Sequence, residues 1–172
     1  MEDLLNDWKT PTNKMQMAGW YQQFQTNSDD LKIYFLPIRH WSRRGLFDTN
    51  KRLWGGYVIQ SAGKTVYFGG DSGYGSQYKQ ASELFPKIDY FLIGIGAYEP
   101  RWFMESNHNN PADAVQAFAD AKAETLIPMH YGTFDLSDEP PSQPLKLLKT
   151  EAEKAGIADK VKALKIGESI EF

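Results

Sequence analysis

The side chains able to do chemistry in this sequence are few, and they recur at one kind of position. His40 follows the apolar run Leu31–Leu36, and His130 ends the run Leu126-Ile127-Pro128-Met129. His108, the remaining histidine of the 172-residue chain, lies in the polar stretch Glu105-Ser106-Asn107-His108-Asn109-Asn110. Asp71 sits in Gly69-Gly70-Asp71-Ser72-Gly73, where glycines let the backbone turn sharply and bring a carboxylate close to a ligand. Imidazole and carboxylate suit zinc or another first-row metal, so His40, Asp71 and His130 form a candidate ligand set. Each residue alone also has a plainer reading. A single histidine is more often structural or exposed, His108 fits a polar residue flanking a helix, and Asp71 fits an Asx-turn. No His-X-His pair is present. The glycine run has neither the Walker spacing nor GxGxxG, and Gly70-Asp71-Ser72-Gly73 does not match the Gly-X-Ser-X-Gly of a nucleophilic serine. Replacing Ser72 is accordingly expected to change little.

Positioning these groups falls to an alternating β/α pattern. Leu31–Leu36 reads as a strand closed by Pro37. Trp54–Gln60 and Lys64–Phe68 read as two strands joined by a hairpin at Ser61-Ala62-Gly63. Ser76–Leu84 reads as a helix stopped before Pro86, and Asp89–Ile95 as a strand covered on both faces. Pro111 opens a helix from Ala112 to Ala123, with Ala114, Val115, Phe118 and Ala121 on one stripe. Thr125–Pro128 is a short buried strand, Asp135–Pro144 a proline-rich loop, and Leu145–Ala155 a helix ended by Gly156. Val161–Leu164 and Ser169–Phe172 read as closing strands, and residues 1–30 as an irregular lead-in. The pattern predicts α/β layers in a single domain over residues 1–172. His40, Asp71 and His130 then fall just after strands, where such folds place ligands.

Composition narrows the function classes. Hydrophobic residues make up 41% and charged residues 24%, the balance of a folded globular protein. Lys and Arg number 19 against 22 Asp and Glu, a net charge of −3 without a basic block, so nucleic acid is not an expected partner. No apolar run reaches the roughly 18 residues of a spanning helix, and the acidic opening MEDLLNDWKT does not read as a signal peptide. A cytoplasmic location is expected. The absence of Cys excludes disulfides, thiolate metal sites and Cys nucleophiles.

Three motifs in order, His40-Trp41-Ser42-Arg43-Arg44, Leu53-Trp54-Gly55-Gly56 and Gly69-Gly70-Asp71-Ser72-Gly73-Tyr74, resemble the metallo-β-lactamase superfamily. The block IGAYEPRWFM at residues 95–104, His108 with Asn110-Pro111, and His130-Tyr131-Gly132-Thr133-Phe134 narrow the likeness. They are similar to the branch containing N-acylphosphatidylethanolamine-hydrolysing phospholipase D and its bacterial relatives. The resemblance runs from Leu31 to the C-terminus. It implies the C-terminal half of an αββα sandwich, a mixed sheet with flanking helices. It implies zinc, with His40 as ligand of one ion, Asp71 bridging two, and His130 as ligand of the second. His108 would be a catalytic, substrate-facing group that stabilises an oxyanion or passes a proton. The implied reaction is metal-dependent hydrolysis of a small-molecule or lipid phosphodiester. Lactone or sugar-phosphate hydrolysis on the same scaffold is one alternative, and a non-catalytic truncated remnant is another. The His-X-His-X-Asp-His motif of such enzymes is absent, so weak metal binding and dependence on an N-terminal half are expected.

Other side chains carry expectations of their own. Among Arg39, Arg43, Arg44, Lys51 and Arg52, the first three could receive a phosphate, whereas Lys51 and Arg52 read as a solvated basic loop. Glu99 and Arg101 read as a structural ion pair or a loop lock. Trp41, Trp54, Tyr98, Trp102 and Phe103 read as core or pocket wall, and Asp138 and Glu139 as an exposed loop at the rim. A half-sandwich leaves an apolar sheet face wet, and with 14% aromatic residues a homo-oligomer or pairing with a missing half is expected. The metal reading also sets a geometric condition. His40, Asp71 and His130 must converge at one sheet edge, and separations beyond about 10 Å would rule it out, because zinc bonds are roughly 2 Å long.

Overall fold

Six strands lie in chain order across one mixed sheet in the computed structural model, which describes residues 2–171. They are β1 (Gln22–Phe24), β2 (Lys32–Leu36), β3 (Gly56–Ser61), β4 (Lys64–Phe68), β5 (Ile88–Gly94) and β6 (Ala123–Met129). Pairing is antiparallel from β1 to β4 and parallel from β4 to β6. The switch follows from the connections. β3 and β4 are joined by a tight turn with Ala62 and Gly63 both at positive φ (49° and 72°), which sends the chain straight back. Helical crossovers separate β4 from β5 and β5 from β6, and a parallel return needs that length. Strands β2, β4, β5 and β6 therefore point the same way and end at one edge.

The helices are α1 (Glu2–Asp7), α2 (Gln77–Leu84), α3 (Arg101–Met104), α4 (Pro111–Ala121) and α5 (Gln143–Lys154). α4 is the best-specified of them. Pro111 sits in its first turn, Asn110 and Asp113 form a capping box, and Lys122 ends it in a left-handed conformation. Helices α2, α4 and α5 form one layer over one face of the sheet. Val58, Tyr67, Phe91 and Leu126, side by side across four strands, meet Tyr78, Ala81, Ala114, Phe118 and Leu148 in the core. This is the expected α/β arrangement of a mixed sheet with flanking helices.

Several elements differ from the sequence-based expectation. β5 is not covered on both faces: Phe91 and Ile93 are buried under the helices, whereas Tyr90 and Leu92 on the opposite face are half-buried. Val115 is half-buried as well, and Ala117 takes its place in the α4 stripe. The two closing strands are not formed among the described residues. Val161 makes a single parallel bridge to Leu126, the chain then diverges, residues 169–171 are irregular, and Phe172 lies outside the described residues. Conversely, residues 1–30 include α1 and the edge strand β1, whose Gln22-Gln23-Phe24 pairs with β2.

Candidate metal centre

At the edge where β2, β4, β5 and β6 end, three histidines and one aspartate converge. One ligand atom from each of His40, Asp71 and His108 lies within 4.8 Å of the others. His130 Nε2 is 3.5 Å from Asp71 Oδ2. The His108 ring lies between the other two imidazoles, 5.3 Å from each by ring centroids. The tightest triplet is thus His40, Asp71 and His108, and His130 joins it through Asp71 and His108. All three expected ligands, His40, Asp71 and His130, are in this cluster, and His108, expected as a substrate-facing group, lies among them.

Four loops carry these residues, and specific contacts hold them together. The buried Ser72 Oγ accepts the Arg39 N–H at 3.0 Å and the Gln77 amide at 3.0 Å, while the Gly73 N–H donates to Arg39 O at 2.8 Å. The loop bearing His40 is thereby fixed to the loop bearing Asp71. Gly73 is also the point of closest approach to the His108 loop, because a Cβ there would lie 2.5 Å from Glu105 O. In the neutral His40 ring, Nδ1–H donates to Trp41 O at 2.9 Å, which leaves the Nε2 lone pair free. The His108 carbonyl accepts from Arg101 Nη1 at 3.0 Å, and the same guanidinium pairs with Asp113 of the α4 capping box. Neighbouring Asn109 is buried and donates to Tyr78 Oη at 2.8 Å. His130 has a left-handed φ of 59°. That conformation costs a non-glycine residue roughly 1–2 kcal/mol, and such strain clusters at functional sites.

Electrostatics favour uncharged imidazole at the centre of the cluster. Burial, helped by the His130 and His40 rings and opposed by the Asp71 and Glu139 carboxylates, pushes His108 down to about 4. At neutral pH its lone pair is therefore available. A cavity of about 280 Å³ adjoins His130, lined in part by Ala97, Tyr131, Phe134, Leu136 and Glu139.

Around the cluster, some expectations change. Glu139 is not an exposed rim residue: it is 6% exposed and accepts the N–H groups of Ala97 (2.6 Å), Tyr98 (3.3 Å) and Glu99 (3.0 Å). Nothing local in the sequence marks it, since its partners lie some forty residues away. Arg101 locks a loop, as expected, but its charge pairs with Asp113 rather than Glu99. Trp102 and Phe103 are neither core nor pocket wall. Trp102 is 82% exposed and Phe103 is exposed beside it, because α3 is one turn long and faces outward. Trp54 and Tyr98 are covered as expected. Arg52 is partnered by Asp48 rather than free in a solvated loop, while the exposed Arg43 and Arg44 donate to the backbone carbonyls of Gly45 and Arg43.

The donor set suits a small divalent ion. Bonds of about 2 Å place adjacent ligand atoms roughly 3–4 Å apart, so the cluster fits one after small side-chain adjustments. Two imidazole nitrogens and a carboxylate oxygen are donors that zinc accepts.

Comparisons with known proteins show the family and the fold of the chain. A family profile described as the beta-lactamase superfamily domain matches residues 3–131. The chain is similar to N-acyl-phosphatidylethanolamine-hydrolyzing phospholipase D 1 of Caenorhabditis elegans, with 39% identity over 128 residues, 73% of this chain and 36% of that protein. It is also similar to the mitochondrial N-acyl-phosphatidylethanolamine-hydrolyzing phospholipase D of Saccharomyces cerevisiae, with 31% identity over 161 residues, 91% of this chain and 34% of that one. Among solved structures, Igni18, a metallo hydrolase from Ignicoccus hospitalis, superposes with a TM-score of 0.71 at 25% identity, covering all of this chain and 67% of the other. The chain thus spans little more than a third of these two curated relatives.

Proposed function

The chain belongs to the metallo-β-lactamase superfamily, and from that premise we propose that His40, Asp71, His108 and His130 form a zinc centre for hydrolysis of a phosphodiester. The observation that carries this reading is the convergence of His40, Asp71 and His108 within 4.8 Å at the common end of parallel-running strands. His40, Asp71 and His108 would hold an ion, and His130 would extend the donor set through Asp71. When bound, zinc would supply Lewis acidity and a water that ionises near neutral pH. The chain's own groups supply the rest. Nδ1–H of His40 is spent on Trp41 O, so its Nε2 is oriented by the backbone. Arg43 and Arg44, exposed close to His40 in the chain, offer planar guanidinium donors to phosphate oxygens. The diester class is favoured by the similarity to two phospholipases D. Full activity would draw on a further segment, such as the part of those relatives that this chain does not match.

The test is a zinc titration of the purified chain by calorimetry, with metal content measured after dialysis. A diesterase assay on bis(4-nitrophenyl) phosphate runs alongside an acyl-homoserine lactone control. Zinc retention that disappears in Asp71→Ala, with slow diester turnover, is the expected result. Binding unchanged in Asp71→Ala would overturn the centre, and lactone turnover without diester turnover would overturn the substrate class.

A further inference from the structure

Beside three of the cluster residues, the neighbour in the chain makes a polar contact with one small region: Arg39 precedes His40, Ser72 follows Asp71, and Asn109 follows His108. The Arg39 N–H and the Gln77 amide both donate to Ser72 Oγ at 3.0 Å, and the Gln77 amide also donates to Gly73 O at 2.8 Å. Asn109 Nδ2 donates to Tyr78 Oη at 2.8 Å. Gln77 and Tyr78 open α2, so the loops of His40, Asp71 and His108 meet at a single helical turn. Tyr78 is fully buried, and the rings of Tyr74, Phe91 and Tyr67 surround its own at 6.2, 5.6 and 6.3 Å between centroids. Its hydroxyl is therefore a fixed point of the core. Burial pushes that hydroxyl up, against hydrogen bonding with Ser72, Asn109 and Gln77. Asn109 is 1% exposed, and its Oδ1 makes no hydrogen bond among the described residues. The place of its side chain in the core rests on the bond to Tyr78.

We infer that Tyr78 is a positioning residue: through Asn109 it holds His108 between His40 and His130, where the imidazole can ligate an ion. The inference rests on the proposed zinc centre and names a residue that shapes it. Three physical points carry it. A polar group buried in the core is costly to leave unpaired, so Asn109 without its acceptor must move or stay at a penalty. Asn109 and His108 share a rigid peptide unit, so a displaced Asn109 carries the His108 backbone with it. The other tether on that peptide unit is Arg101 Nη1, which donates to the His108 carbonyl at 3.0 Å from a side chain 31% exposed. Water can stand in for a bond at the surface, whereas the buried bond to Tyr78 has no substitute.

Zinc titration by calorimetry compares the native chain with Tyr78→Phe, which keeps the ring and removes the acceptor. Binding about tenfold to hundredfold weaker is expected, the usual cost of losing a partner behind a metal ligand. Tyr78→Phe combined with Asn109→Leu leaves no polar atom of the pair unmatched and should recover most of that loss. In a His108→Ala background, Tyr78→Phe should weaken zinc binding no further, because it acts through that imidazole. A metal-free measurement runs beside these. Proton cross-relaxation between the His108 and His130 rings, whose centroids are 5.3 Å apart, should be present in the native chain, lost in Tyr78→Phe and regained in the double variant. Unchanged affinity in Tyr78→Phe, an equal loss in the His108→Ala background, no recovery in the double variant, or ring contacts that persist in Tyr78→Phe would each overturn the inference. Asn109→Ala breaks the same bond from the other side and gives the same readouts if Tyr78→Phe does not fold. A native chain that binds no zinc overturns the zinc centre alone, and the ring contacts then decide this inference.

Discussion

A hydroxyl buried between two donors has no water to replace a lost partner, which makes Ser72 a sharp probe of the centre. Ser72→Ala leaves the Arg39 N–H without its acceptor, while the Gln77 amide keeps only its bond to Gly73 O, at a cost of about 1–3 kcal/mol. A lower thermal midpoint and weaker zinc binding are expected, measured by calorimetry on the same sample, because Arg39 precedes His40. The bare motif suggested that Ser72 was replaceable, and its contacts argue otherwise. Asp89 gives a second residue-level test, remote from the site. Burial alone would raise its carboxyl, but the Thr65 N–H and the Lys87 and Lys64 ammonium groups outweigh burial and hold it below the ordinary 3.8. A carboxyl lowered on folding contributes its stability in full above that ordinary value and loses it as pH falls through the folded value. Asp89→Asn should therefore be less stable at neutral pH. It should also lose less further stability below about pH 4 than the native chain does, as followed by urea unfolding across pH.

Among the elements, α4 and residues 97–99 just after β5 support the centre without contributing a donor. Asn110 caps α4, and Asp113 both closes the capping box and holds Arg101, whose other arm bonds to the His108 carbonyl. Asn110→Ala should cost about 1 kcal/mol of stability. Asp113→Asn should add a defect in zinc binding, because Arg101 then loses its charge partner and the His108 loop its tether. A double-mutant cycle with Arg101→Lys checks the coupling: additive losses would mean that the two residues act separately. Glu139 plays the equivalent part for the loop after β5, where one carboxylate accepts three backbone N–H groups. Glu139→Gln should destabilise that loop first, visible as faster amide exchange at residues 97–99 than in the helices.

For the whole molecule, a bound ion acts on stability by mass action. If zinc binds the folded chain, its thermal midpoint should rise with free zinc. At one hundred times the dissociation constant the gain is about 2.7 kcal/mol, and the His40→Ala variant should show almost none of it.

Much of the architecture was legible along the chain because it rests on local rules. Pro37, the Ala62-Gly63 turn, Pro86, Pro111 and Gly156 punctuate the chain, and the strands and helices between them fall close to where apolar spacing put them. The donor types were legible too, because the absence of Cys left only His and carboxylate. The edge strand β1 was not, since its polar residues gain their β conformation from pairing with β2. The failed closing strands, the burial of Glu139, the exposure of Trp102 and the place of His108 beside His40 were likewise decided elsewhere. Each depends on which distant segment supplies a partner or a cover. His40 and His108 come together because β2 and β5 end at the same edge and Gly73 lets their loops touch. Residue type and spacing are local properties and fix what a segment can become. Which groups meet, and which face stays open, depends on strand order and on contacts between residues far apart in sequence, and those exist only in the folded chain.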